Sequence, residues 1–309
     1  MTFNRIAIYG HRGWASSAIT KSLIASGAPI KILHRPESDV SGVPSTVTTV
    51  SVDVNDKDAL IHALHDVDIL ISLVGHDGIS RQLALVAALP HTDVKLFVPS
   101  NMSHQIDEDG MRLAVNKAKV EVEKAARDAK IAVTTVLPGY LVESSLAIPM
   151  MGVDANNNHI LFTGNSQQQP LNLCTLRYVA AAYSAIFATT PTDTLQNRVI
   201  GLAELIVTGD EIRAALEQKH GAKPQEFVMS IDTVDRKLDE TLAAGSPLAA
   251  MWYYRKIWAT GALKGLVGDD IWEIDGYPKT TLDELLVQGK MQPYRELPER
   301  VIQIMAQFD

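Results

Sequence analysis

A single cysteine, Cys174, serves the whole 309-residue chain, which excludes an intrachain disulfide framework and fits a reducing compartment. No apolar run approaches the ~20 residues needed to cross a bilayer. The N-terminus, with a lone Arg5 and an apolar stretch only as long as a strand, lacks the pattern of a secretory signal. Cations are scarce as well: 28 Lys and Arg stand against 36 Asp and Glu, a formal net charge of −8. That balance leaves no electrostatic case for nucleic acid or for an anionic membrane surface. His, Cys and acidic residues nowhere fall at metal-ligand spacing, and neither a Gly-x-Ser-x-Gly elbow nor a P-loop is present. Internal repeats and a Pro/Gly/Ser linker are missing too. What remains is 46% hydrophobic and 21% charged, the composition of a soluble globular protein. The expectation is a cytoplasmic monomer or homodimer that works on a small molecule.

The chain is organised around Arg5-Ile6-Ala7-Ile8-Tyr9-Gly10-His11-Arg12-Gly13-Trp14-Ala15-Ser16. A short apolar strand breaks into two glycines three apart and enters a helix, a turn that presents bare N–H groups and a helix N-terminus to a dinucleotide pyrophosphate. Gly10, Arg12, Gly13 and Trp14 are therefore cofactor-binding candidates, with Ser16 where a third glycine usually falls. Helix spacing of Ala15, Ala18, Ile19, Ser22 and Leu23 marks residues 13–26, and strand patterns follow at 29–34 and 47–54. A helix is expected at 56–65, a continuous apolar strand at 67–74, a helix at 79–89 and a strand at 94–98. The helix over 110–129 carries the clearest apolar stripe, and the strand 131–136 comes next. Strands alternating with helices imply right-handed βαβ units and a Rossmann-type, doubly wound parallel sheet. After Pro138-Gly139 the rhythm changes. Residues 1–150 then form a dinucleotide-binding domain, and 151–309 a smaller α+β substrate region packed on it and partly interleaved with it.

Charge selects the cofactor. An acidic side chain ends the second strand of NAD-binding turns and accepts from the ribose hydroxyl, whereas NADP sites place a cation there. Here the strand ends in His34-Arg35, with no acid before Glu37. Arg35 can hold a 2′-phosphate bidentately, and Arg12 can approach it from the turn. The expected cofactor is NADPH/NADP+. Asp53, after the third strand, is placed to meet the adenine amino group or else to cap a turn.

Phe97-Val98-Pro99-Ser100, Asn116-Lys117-Ala118-Lys119 and Val133-Thr134-Thr135-Val136-Leu137-Pro138-Gly139-Tyr140-Leu141 together resemble the NmrA-like and isoflavone-reductase-like atypical short-chain dehydrogenases. The resemblance runs back through Asp68-Ile69-Leu70-Ile71-Ser72-Leu73-Val74-Gly75 to the glycine turn, and forward to Gly276-Tyr277-Pro278-Lys279-Thr280-Thr281-Leu282. It implies a Rossmann NADPH domain, a variable C-terminal substrate domain, and reduction of a small apolar or aromatic enone, imine, quinone or carbonyl-type compound. The alternative it carries is a non-catalytic NADP(H)-sensing regulator. The general acid/base position falls on Lys117, and Gly75, Ser100 and Lys117 join the cofactor-binding set. Two departures stand out: Ser100-Asn101-Met102-Ser103 replaces Ser-Glu-Phe-Gly, and Leu113 replaces the tyrosine of a Tyr-x-x-x-Lys pair.

Read without the family, Lys117 lies roughly 120° from the centre of the apolar stripe and is an ordinary solvated charge one turn from Glu121. Lys119 sits nearer the stripe's edge. For substrate, His76 is placed to flank the nicotinamide, Ser100 and Tyr140 to hydrogen-bond, and Met150, Met151, Trp252, Tyr253 and Trp258 to line an apolar pocket or build a core.

Overall fold

The structure is a computed structural model that describes residues 2–308. Five short strands, β1 (Ile6–Tyr9), β2 (Ile30–His34), β3 (Thr48–Ser51), β4 (Ile69–Ser72) and β5 (Leu96–Val98), pair in the order β3-β2-β1-β4-β5, all parallel. Every residue of β1, β4 and β5 is buried, as strands covered on both faces must be. β3 closes one edge and exposes most of its side chains. The crossovers run through α1 (Trp14–Ala25), α2 (Lys57–Ala63) and α3 (Gln82–Ala88), and α4 (Ala114–Asp128) leaves β5. The chain goes outward from β1 to β3 and then returns to β4 on the other side of β1. A crevice opens where the order reverses, at the carboxyl ends of β1 and β4.

Two expected elements differ in detail. The helix expected over 110–129 is split: residues 110–112 make a 3₁₀ turn, Leu113 is extended (φ −81°, ψ 124°), and α4 starts one residue later. Asn116 Nδ2 donates to the Gly110 carbonyl at 3.0 Å and fixes the step, while Leu113 joins the core of the C-terminal half. The strand expected at 131–136 begins late. Lys130 (φ 64°) turns the chain out of α4, Val133 bridges Phe97 on β5, and the chain then moves to another partner: Thr135–Leu137 pairs in parallel with Val199–Gly201.

The helix Leu176–Phe187, beyond residue 150, packs along α1, with Ser22 Oγ and Ser184 Oγ 2.8 Å apart, and completes the core on that face of the sheet. The other face is closed by α2, α3 and α4. A separate core holds Tyr140, Met151, Trp252, Tyr253 and Trp258 with two small sheets, Leu205–Val207/Leu171–Cys174/Tyr140–Leu141 and Gln225–Met229/His159–Thr163/Val153–Asp154. Arg255, fully buried, braces this half: Nε donates to the Met150 carbonyl (3.0 Å) and Nη2 to those of Pro149 and Met305 (2.9 Å each). Among the described residues no helix is long and apolar enough to cross a membrane.

Candidate dinucleotide cleft and the pocket beside it

β1 ends at Tyr9 because the next residue must turn sharply. Gly10 has φ +94°, and a Cβ there would stand 2.8 Å from the Leu73 carbonyl carbon and the Val74 nitrogen. Only glycine lets the turn pass this close to the end of β4. A Cβ on Gly13 would meet Ser16 Oγ at 2.8 Å. That contact accounts for the missing third glycine: the buried Ser16 hydroxyl donates to the Gly13 carbonyl at 3.2 Å and fills the space between turn and helix. No side chain caps α1 at Gly13, so its first N–H groups remain for an anion.

The turn opens on a cleft of about 500 Å³ lined by Tyr9 to Gly13, His34, Arg35, Val74, Gly75, Asp77 and Arg81, among others. Three arginines, Arg12, Arg35 and Arg81, share its rim. Glu37, the first acid past β2, pairs with Arg35 at 3.2 Å and so braces the guanidinium. Arg81 was not singled out in the sequence; it enters through the 3₁₀ turn His76–Arg81 that follows β4. Asp53 lies outside the cleft lining and accepts from the Asn55 backbone N–H at 2.9 Å, a turn contact. The free α1 terminus, a glycine required by the backbone after β4 and a second set against the Ser16 side chain, and arginines with no acid ending β2 fit a dinucleotide that carries an extra phosphate.

Behind Val74 and Gly75, outside the cleft lining, stand side chains drawn from further along the chain. Ser100 ties β5 to β4: its Oγ donates to the Val74 carbonyl (2.7 Å), and its N–H donates to Gln82 Oε1 (2.9 Å). His76 follows Gly75; desolvation, then Lys119 and Arg295, hold its pKa below the ordinary value. Lys117 stands exposed on α4, whereas Lys119 is 9% exposed. Among the described residues the Lys119 ammonium has one hydrogen bond, 3.4 Å to Asn101 Oδ1, and desolvation lowers its pKa to about 8 against the pull of Glu123. Asn101 Nδ2 donates in turn to Glu123 Oε1 at 3.3 Å. The departure from Ser-Glu-Phe-Gly thus places an amide between a buried lysine and a largely buried glutamate.

Three residues further on, His104 meets Tyr140, Tyr253 and Tyr254, with ring centroids 5.5, 5.7 and 5.8 Å away. Its Nδ1 donates to the Gln105 carbonyl at 2.7 Å, which leaves Nε2 as a bare acceptor, and burial lowers its pKa to about 4. Among the described residues neither His104 Nε2 nor the Tyr140 hydroxyl has a partner, and both are buried. Burial pushes the Tyr140 pKa well above its ordinary value, and Tyr253 donates to Asp107 Oδ1 at 2.8 Å. The structure therefore gathers Tyr140 and Tyr253 around a histidine that the sequence did not mark. Met150 and Trp252 lie elsewhere, beside Arg255, whose guanidinium sits 4.9 Å from the Trp252 ring. The Trp14 ring meets Tyr294 edge-on at 4.8 Å, so the irregular segment 289–298 packs on the first residue of α1, and Trp14 lies outside the cleft lining.

Residues 2–248 match the model of the NmrA-like family. An isoflavone reductase from Pisum sativum is 24% identical over 326 residues, covering 93% of this chain and 99% of that protein. Among solved structures, a leucoanthocyanidin reductase–NADPH complex from Vitis vinifera superposes with a TM-score of 0.77 at 17% identity, covering 93% of this chain and 99% of the other. AtPrR2 with NADP+ and (+)-pinoresinol gives 0.74 at 19% identity, with the same coverage. These likenesses extend the shared fold through the C-terminal half. The chain belongs to the NmrA-like family.

Proposed function

We propose that the protein is an NADPH-dependent oxidoreductase that reduces a small aromatic substrate at an enone, quinone, imine or carbonyl-type group. The observation that carries this reading is the arginine-rimmed cleft at the Gly10–Gly13 turn, where no carboxylate ends β2. The names of the relatives support it: an isoflavone reductase, and structures with NADPH or NADP+ bound. Gly10, Gly13 and the first turn of α1, beginning at Trp14, hold the diphosphate, and Arg35 and Arg12 take the 2′-phosphate. Gly75, His76 and Ser100 flank the nicotinamide. Held there, NADPH would supply the hydride that reduces the acceptor carbon. Lys117, the acid/base position expected from the sequence, faces solvent, so Lys119 Nζ, buried on the other side of α4 beside Asn101 and close to His76 and His104, then gives the proton. Tyr140 and His104 position the substrate: the Tyr140 hydroxyl donates, and His104 Nε2 accepts from a substrate hydroxyl.

The test follows NADPH absorbance with a panel of quinones, enones and imines. Turnover is expected with at least one compound, and Lys119→Met should lower it by about two orders of magnitude or more while NADPH affinity stays within a factor of two and the exposed Lys117→Met changes neither. Unchanged turnover in Lys119→Met refutes the lysine's role. Tight NADPH binding with no turnover across the panel supports the NADP(H)-sensing alternative instead.

A further inference from the structure

We propose that a second cavity, between α1, the helix Leu176–Phe187 and the segment 277–293, binds a flat aromatic molecule that carries one oxyanion, with the anionic group at Lys21 and Arg177. The site goes beyond the reductase reading and does not rest on it.

The cavity measures about 1110 Å³, more than twice the volume of the dinucleotide cleft, and the two share no lining residue. Packed interiors leave few voids larger than a water molecule, whereas a ligand pocket is on the order of 1,000 Å³ at its largest. The floor follows from how the two helices pack. Ser22 and Ser184 bring them together at 2.8 Å, and the small side chains of Ala18, Ala180 and Ala181 leave the groove above open. Trp14, Tyr277, Pro278 and Pro293 stand around it. Tyr277 is held edge-on to the buried Tyr178 ring at 5.3 Å, and Trp14 edge-on to Tyr294 at 4.8 Å, so both rings are fixed before a ligand arrives. Flat apolar walls of this kind suit an aromatic ring.

The polar groups of the lining decide the rest. A polyol would find few partners: Ser22 Oγ is taken up by Ser184, Thr175 Oγ1 by Glu204 at 2.8 Å, and both Glu143 oxygens by the Leu176 N–H at 3.0 and 3.2 Å. The other lining acid, Glu284, pairs with Lys290 at 3.1 Å, and Lys279 pairs with Glu273 at 2.8 Å. No lining carboxylate is left for a cationic ligand. Lys21 and Arg177 are the lining cations without an ion pair among the described residues. The Arg177 guanidinium lies 5.9 Å from the Tyr277 ring, and Glu204, the acid it influences, accepts from Thr175 and Thr280. An oxyanion at this mouth meets the guanidinium in charge-assisted hydrogen bonds and the ammonium as a point charge, while the ring that carries it lies against Tyr277.

The experiment titrates 1-anilinonaphthalene-8-sulfonate and its uncharged analogue N-phenyl-1-naphthylamine by fluorescence, with NADP+ present to fill the dinucleotide cleft. Both probes are expected to bind the wild type. Lys21→Ala combined with Arg177→Ala should weaken the sulfonate about 10-fold and leave the uncharged analogue within a factor of two. Ala181→Trp, which fills the groove between the helices, should abolish binding of both probes and leave NADP+ affinity within a factor of two. Failure of the sulfonate to bind up to about 1 mM overturns the proposal. So does a sulfonate affinity that survives the double substitution, or a loss shared equally by the two probes. Probe binding that persists in Ala181→Trp belongs to another surface and overturns it as well. Lys21 and Arg177 are exposed, so their double variant keeps the test open if Ala181→Trp fails to fold. The readout is binding, not turnover: a protein that reduces nothing but takes the sulfonate here refutes the reductase reading and keeps the site.

Discussion

The dinucleotide end of the cleft and the substrate end use different materials. At the first, backbone does the shaping: Gly10 lets the chain turn within van der Waals reach of β4, α1 is left uncapped, and the arginines stand at an open rim where water screens them. At the second, side chains are sealed away from water with their polar atoms underused: Lys119 on one long hydrogen bond, His104 Nε2 and the Tyr140 hydroxyl on none. The first construction is robust to charge and intolerant of bulk. The second carries its cost in desolvation, so protonation and truncation should disturb it most.

The largest effect should come from adding bulk at the dinucleotide end. Gly10→Val forces a β-branched residue to φ +94° with Cβ 2.8 Å from the backbone of Leu73 and Val74. Backbone strain and overpacking together amount to about 4 kcal/mol. The chemical-denaturation midpoint should fall sharply and NADPH binding should vanish. A variant that keeps both would show that the turn is not shaped by its contact with β4.

How much of this could be read in the sequence follows from the same contrast. The glycine turn, the buried parallel strands and the arginine at the end of β2 are local signals: spacing, period and one position in a short strand. The site around His104 is assembled from residues 104, 140, 253 and 254, whose contacts cross about half the chain and leave no periodic trace. Lys119 was visible only as a charge near the edge of the α4 stripe, because burial depends on what Asn101 and its loop bring against it. The break at Leu113 was hidden by an apolar stripe that continues through it, and the transfer of strand pairing after Val133 depends on a partner more than sixty residues away. Trp252 and Tyr253 are adjacent in sequence yet part company in the fold, the one beside Arg255 and the other against His104.

Acid sharpens the contrast from the substrate side. His104 is 2% exposed and its pKa is lowered to about 4, so between the ordinary value near 6.5 and 4 the unfolded chain binds a proton that the folded chain refuses. The stability this group contributes is complete above pH 6.5 and is lost as pH falls to 4, by at most about 3 kcal/mol. Buried Glu143 and Glu204, whose pKa values are raised by desolvation, act in the opposite sense, so the measurement is a difference. Between pH 6.5 and 4.5, His104→Asn should lose less unfolding free energy than the wild type. Parallel losses would mean that the histidine is not held neutral.

The smallest effect lies back at the open rim and concerns recognition more than stability. Arg35 is 46% exposed and its pair with Glu37 is 64% exposed on the acid side, so removing the guanidinium should shift the denaturation midpoint very little. Its effect on cofactor choice is larger under the proposed function, in which a 2′-phosphate would meet the arginine directly and the ribose hydroxyl of NADH would not. Arg35→Ala should weaken NADPH about tenfold, or 1.4 kcal/mol, and leave NADH unchanged. Glu37, released from its partner, would then repel the phosphate and deepen the loss, which Arg35→Ala combined with Glu37→Gln should partly reverse. Fluorescence titration with both cofactors decides the matter. A wild type that binds NADPH and NADH equally, and stays indifferent after Arg35→Ala, would leave the rim arginines as ordinary solvated charges and remove selectivity from the dinucleotide end.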